Sequence, residues 1–170
     1  MTTPIFIAAG VALLLGLAGG LLTDVGPWYR ALRKPGLNPP NWLFGPAWTI
    51  ILGLAAWSAV LAWEAASTPA EQRLVAALFA ANALFHLLWS PLFFRLKRPD
   101  LALIEVTFLW ASLVALAVAL APISRTASLL IWPYLAWVSF AAWLNWRIVR
   151  LNPRPAKPAL DRSERRSALS

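Results

Sequence analysis

The sequence predicts an all-α integral membrane protein, a five-transmembrane-helix bundle with a Pro/Trp-rich lid loop between helices 1 and 2. Three observations carry that prediction. Hydrophobic residues make up 60% of the 170 positions and mean hydropathy is +0.65, more apolar surface than a soluble domain of this size can hide. Five windows, residues 4–22, 44–64, 74–94, 101–121 and 127–148, each approach the ~20 residues needed to cross hydrocarbon and lack the alternation of a barrel strand. Charge is also segregated. Arg30, Arg33, Lys34, Arg95, Lys97, Arg98 and the seven basic residues from Arg147 onward fall on one side of such a bundle, against Arg73 and Arg125 on the other. Only an odd number of spans keeps that segregation.

By the positive-inside rule the N-terminus is expected outside and the C-terminus in the cytoplasm. Helical spans point to a bacterial cytoplasmic (inner) membrane. The net charge of +8 is thereby assigned to topology and to contacts with anionic lipid, and no nucleic-acid partner is expected.

Span one has no Lys or Arg before it and no clean small-x-small cleavage site after it, so it reads as an anchor rather than a signal peptide. Ala8, Ala12, Gly16 and Gly20 repeat every four residues along it, a small-residue stripe that lets another helix approach, within the bundle or between protomers. The next connection, residues 23–43, is the one long loop. It holds Pro27, Pro35, Pro39 and Pro40, which fix φ and remove backbone donors, so the segment orders at low entropic cost and suits a lid over an apolar opening. "WYRALRK" allows one or two helical turns before Pro35, and Pro46 is expected near the first turn of span two.

The later loops are short, predicting antiparallel contact between consecutive helices. Asp100 in "KRPDLA" reads as the N-cap of span four, and Glu105, one turn in, is expected to reach the interface. The bundle accounts for residues 1–152. The basic tail, 153–170, is polar, proline-containing and expected to be disordered.

Eleven tryptophans exceed what interfacial belts use, and Trp57, Trp110 and Trp137 fall near mid-span, where an indole N–H needs a partner. On span five, Pro133, Trp137, Ala141 and Asn145 share a face; on span three, Asn82, His86, Trp89 and Phe93 do so. If these faces meet beside Trp48, they form a flat-sided aromatic cavity under the lid, suited to a large planar apolar ligand. His86, the one histidine, reads either as an interior hydrogen-bonding group or as a polar contact to that ligand. With no cysteine, no Ser-His-Asp set, no carboxylate pair, no HExxH and no phosphate loop, hydrolytic and phosphoryl-transfer chemistry have no residues to stand on. No catalytic residue, metal or required cofactor is predicted.

Three stretches in order, "WYRALRKPGLNPPNWLFGPAW", "LWSPLFF" and "PYLAWVSFAAWLNW", resemble the tryptophan-rich sensory protein and translocator protein family (TspO/MBR, also called the peripheral benzodiazepine receptor family) over residues 5–152. The resemblance implies a five-helix bundle, commonly a homodimer, that binds protoporphyrin IX or haem and, in some members, sterols. It implies that Trp48 and Trp137 are pocket tryptophans, Ala141 the small residue beside them, and Tyr29, Pro39 and Pro40 part of the lid. The family's usual asparagine in the third-span motif is replaced by His86, which adds imidazole contact with a tetrapyrrole, and axial ligation of haem iron, to the readings open for that residue. The cholesterol-recognition pattern lacks its tyrosine in "WLNWRIVR". The expected function is tetrapyrrole binding in porphyrin homeostasis, transport or stress signalling. Alternatives are light-dependent porphyrin degradation, for which Trp48 and Trp137 would be the redox-active residues, and sterol or lipid transport, although no internal repeat supports alternating access.

Overall fold

The computed structural model describes residues 2–153; the expected disordered tail, from residue 154 on, lies outside them. Among the described residues there are five helices long and apolar enough to cross a membrane and no strand. The first, α1 (Thr2–Leu22), is apolar on every side and buries only Leu15. A single turn, α2 (Pro27–Ala31), follows. Its start is set by Pro27 in the first helical position and by Gly26 N–H donating to Asp24 Oδ1 at 2.8 Å.

Helix α3 (Asn41–Ala65) begins directly after Pro39-Pro40. Its start lies three residues before the predicted edge, so Pro46 sits inside the helix, in the second turn, and removes one intrahelical bond there. Helix α4 (Pro69–Ser90) begins earlier than hydropathy alone suggests, because Thr68 and Glu71 form a reciprocal capping box and Pro69 follows the cap. At Pro91, which supplies no N–H, the helix widens into a π-turn over Pro91–Arg95, with Leu96 N–H reaching Pro91 O at 2.9 Å.

Arg98, not Asp100, occupies the N-cap of α5 (Pro99–Leu120). Asp100 is the second helical residue and accepts from Arg98 Nε at 2.9 Å and Nη2 at 2.7 Å. Pro99 explains the difference: proline fits the first helical position, which moves the cap one residue upstream of it. The last helix, α6 (Arg125–Leu151), is capped by Ser124, whose Oγ accepts from Ala127 N–H at 3.3 Å.

Around the bundle the helices run α1, α3, α6, α5, α4, and α4 returns to α1. Short loops therefore do not make every consecutive pair close neighbours: α3 packs mainly on α1 and α6 and meets α4 only sparsely. The core lies between α5 and α6. Val106, Leu109, Leu113, Leu116 and Leu120 recur at three- and four-residue spacing and cluster with Ile131, Tyr134 and Val138. Two buried serines tie helices to carbonyls, Ser58 Oγ to Ala127 O at 2.7 Å and Ser128 Oγ to Ala117 O at 2.6 Å. With the core on that side, the opposite side, among α1, α3, α4 and the end of α6, is left to hold a cavity.

Candidate functional site: an aromatic cavity under the lid

A cavity of about 930 Å³ lies among α1, α3, α4 and the C-terminal part of α6, closed at one end by the segment before α3. That volume is at the upper end of the roughly 300–1,000 Å³ typical of small-molecule sites. Its walls are Trp48 from α3, His86 and Trp89 from α4, Phe93 and Phe94 from the π-turn, and Tyr29 from α2. The whole small-residue stripe of α1, Ala8, Ala12, Gly16 and Gly20, lines it too. A Cβ placed on Gly16 would meet Leu52 Cδ1 at an ordinary 3.7 Å, and one on Gly20 would meet nothing within 4 Å. The stripe's effect here is therefore room rather than tight helix contact.

Trp48 is the hub. Its ring meets His86 at 4.9 Å, Tyr134 at 5.8 Å and Trp137 at 6.3 Å between centroids, each nearly edge-on. Such pairs prefer edge-to-face geometry and fix ring orientation. His86 Nδ1 is 2.8 Å from Tyr134 Oη, so the imidazole is held between α3 and α6. Trp89 stacks on Phe93 at 5.0 Å, and Phe93 in turn meets Trp28 and Tyr29 of the lid.

Tyr29, Trp48, His86, Trp89, Phe93 and Ala141 all line the cavity. Trp137 does not line it; it lies behind Trp48 and against Phe44 at 6.0 Å. Asn82 is turned away, with Nδ2 donating to Ser112 Oγ on α5 at 2.9 Å. That register is set by α4 packing on α5, as the stacked Phe85–Phe108 pair at 6.0 Å also shows. Pro39 and Pro40 lead the chain into α3, and their neighbours Asn38 and Asn41 line the cavity instead. Pro133 is exposed on the outer face of α6. Of the other mid-span tryptophans, Trp110 donates to Ser139 Oγ at 2.9 Å and Trp57 lies at the outer edge of the cavity, 51% exposed.

Tyr134 was not anticipated as a site residue. A signal existed: a buried tyrosine hydroxyl in a membrane needs a partner, and His86 is the only imidazole in the chain. Glu105 differs from expectation as well. It is 6% exposed, both oxygens are buried, and neither has a hydrogen-bond partner among the described residues. Its helix packs closely on α4 and α6, which keeps the side chain from the interface. The indole N–H groups of Trp89 and Trp137 and Oδ1 of Asn145 are likewise buried without a partner. Other atoms of Trp89 and Asn145 line the cavity, while these two polar atoms are turned away from its open space.

The lid is fixed at several points. Lys34 Nζ donates to Tyr29 O at 2.6 Å and lies 4.3 Å over the Tyr29 ring. Asn152, at the end of α6, clasps Arg33 from both sides, its Oδ1 accepting from Arg33 N–H at 3.0 Å and its Nδ2 donating to Arg33 O at 2.9 Å. Burial raises the Tyr29 hydroxyl above the ordinary tyrosine value, with the Asn38 side chain pulling the other way. Burial also lowers the Lys34 ammonium. Among the described residues no group of three His, Cys, Asp or Glu could hold a metal ion.

Residues 8–151 match the model of the TspO/MBR family. The chain is 38% identical over 146 residues to a tryptophan-rich protein TspO of Chlorobaculum tepidum, covering 85% of this chain and 92% of that one. It is 39% identical over 142 residues to a protein of the same name from Archaeoglobus fulgidus, covering 82% and 91%. To the translocator protein of Sus scrofa it is 32% identical over 126 residues, covering 74% and 75%.

Proposed function

Because the chain belongs to the TspO/MBR family, we propose that it binds a tetrapyrrole, protoporphyrin IX or haem, in the cavity beneath the lid and acts in porphyrin homeostasis, transport or stress signalling. The observation that carries this reading is the cavity itself: about 930 Å³, with Trp48, Trp89 and Phe93 presenting aromatic surface and His86 the one imidazole in its wall. A flat macrocycle gains contact area against such walls. Trp137 supports the site from behind by fixing Trp48.

In the same reading the protein sits in the bacterial cytoplasmic membrane as a homodimer, its N-terminus outside and its C-terminus in the cytoplasm. The orientation is supported by the cluster of Arg and Lys around the lid end. The names of two relatives, tryptophan-rich sensory protein and translocator protein, are compatible with sensing and with transport alike.

The test is a titration of the purified protein with protoporphyrin IX, following tryptophan quenching and the Soret band, in wild type and in Trp48→Ala, Trp89→Ala and His86→Asn variants. The reading expects saturable binding at one site per chain, weakened by both tryptophan variants. Absence of saturable binding, or affinity unchanged in both, would remove it.

A further inference from the structure

The outer face of α6 ends in two like charges gathered on one indole. Arg147 Cζ lies 5.9 Å and Arg150 Cζ 5.5 Å from the centroid of the Trp146 ring, both within reach of a cation–π contact. The two arginines are three residues apart on a helix, so their side chains are neighbours and repel. No acid among the described residues cancels them. Asp24 is engaged by Gly26, Glu71 closes the cap of α4 and Asp100 pairs with Arg98. Glu105 is buried inside the bundle, and Glu64 lies at the end of α3 remote from the lid. Arg147 Nε is itself buried without a hydrogen-bond partner. The helix dipole accounts for a cation in the last turn, where Arg150 stands, but its pull fades within that turn and does not explain Arg147.

The position of the pair says which anion meets it. Trp146 is 41% exposed and precedes the end of α6 at Leu151 by about 8 Å along the helix, the depth at which indoles sit among lipid headgroups. Deeper in the membrane, Trp143 is exposed as well and stacks on Phe140 at 6.0 Å with the ring planes 17° apart. The outer face thus passes from two guanidiniums through an indole to a flat apolar strip. A phosphate diester between the guanidiniums meets charge-assisted donors in fork geometry, while its acyl chain lies along Trp143 and Phe140. Free phosphate gains the first contact and not the second.

We infer that Arg147, Trp146 and Arg150 form a binding site for the headgroup of an anionic phospholipid on the outer face of α6. Basic residues at this end of the bundle attract anionic lipid as a diffuse layer; the site adds one seated lipid at named residues. It stands apart from the cavity and does not rest on the tetrapyrrole reading.

The purified full-length protein, in a neutral detergent, is titrated with dioleoylphosphatidylglycerol and with dioleoylphosphatidylcholine, and bound lipid is counted by native mass spectrometry. A charge-assisted contact corresponds to about tenfold in affinity, so the first phosphatidylglycerol should bind about tenfold or more tightly than phosphatidylcholine. Arg147→Gln and Arg150→Gln should each remove most of that preference, and Arg73→Gln, at the start of α4, should keep it. Equal binding of the two lipids by wild type, a result that needs no variant to fold, overturns the site, as does a preference that survives both arginine variants. Excess inorganic phosphate should leave the lipid in place; displacement would mean a simple anion site and would overturn the lipid assignment. Asp161 and Glu164 belong to the tail, outside the described residues. A preference that appears only in the Asp161→Asn/Glu164→Gln variant would mean that the tail's own carboxylates occupy the pair, and the inference falls.

Discussion

Replacing Tyr134 by phenylalanine removes one oxygen and nothing else from the wall behind Trp48. The ring is 1% exposed, and its edge-on contacts with Trp48 at 5.8 Å and His86 at 6.1 Å survive the change. What is lost is the 2.8 Å hydrogen bond to His86 Nδ1. An interhelical bond in a membrane is worth about 0.6 kcal/mol on average and about 1.7 kcal/mol at most. A buried ring nitrogen left without a partner brings the cost toward the upper part of the roughly 1–3 kcal/mol range for an orphaned polar group. A loss of about 1–2 kcal/mol is therefore expected, measured by reversible unfolding in mixed micelles. Because the bond holds the imidazole against Trp48, porphyrin affinity should fall together with stability. A cycle with His86→Leu isolates the pair: the double variant should cost less than the sum of the singles. Singles that add within about 0.3–0.5 kcal/mol, or a Tyr134→Phe variant of unchanged stability, would refute the reasoning that this bond positions His86.

Glu105→Leu keeps the side chain's approximate size and removes two buried oxygens that have no partner among the described residues; stability should rise by about 1–3 kcal/mol in the same unfolding assay, and a fall would show that the carboxyl is paired. Asn152→Ala opens the two-way clasp on Arg33. Two bonds of about 0.5–1.5 kcal/mol each predict at least about fivefold faster hydrogen exchange in the lid around Arg33, and unchanged exchange would assign the lid's order elsewhere.

The helices were legible because runs such as "ALLLGLAGGLL" and "LALIEVTFLWASLVALAVAL" have no plausible state but a membrane helix. Their edges were not, since those depend on single caps: the Thr68–Glu71 box extended α4, and Pro99 moved the α5 cap from Asp100 to Arg98. Half of the site followed from spacing, because His86 and Trp89 of α4 and Phe93 of the π-turn that continues it all meet the cavity. Asn82, one turn before His86, is claimed by Ser112. Trp137 and Ala141 are one turn apart, yet only Ala141 reaches the cavity. Which side of a stripe faces inward depends on how α6 is rotated against α3 and α5, and four-residue spacing carries no information about that rotation.

The division of labour among the helices follows from where apolar surface is buried. Helices α5 and α6 bury their stripes in each other and carry the core, whereas α1 buries Leu15 alone and exposes Phe6 (74%), Leu13 (67%) and Leu21 (75%). In water such a helix would not stay in place; in a bilayer, lipid solvates those side chains as well as protein would, and what holds α1 is packing along one edge of α3 and α4. A small-residue stripe usually signals close contact between helices. Here the spaces beside Gly16 and Gly20 are open enough to accept a Cβ, so larger residues along the stripe would fill the cavity rather than clash with a neighbouring helix. The long helix with the fewest buried residues thus forms one wall of the cavity, on the side away from the α5–α6 core, where local opening costs least.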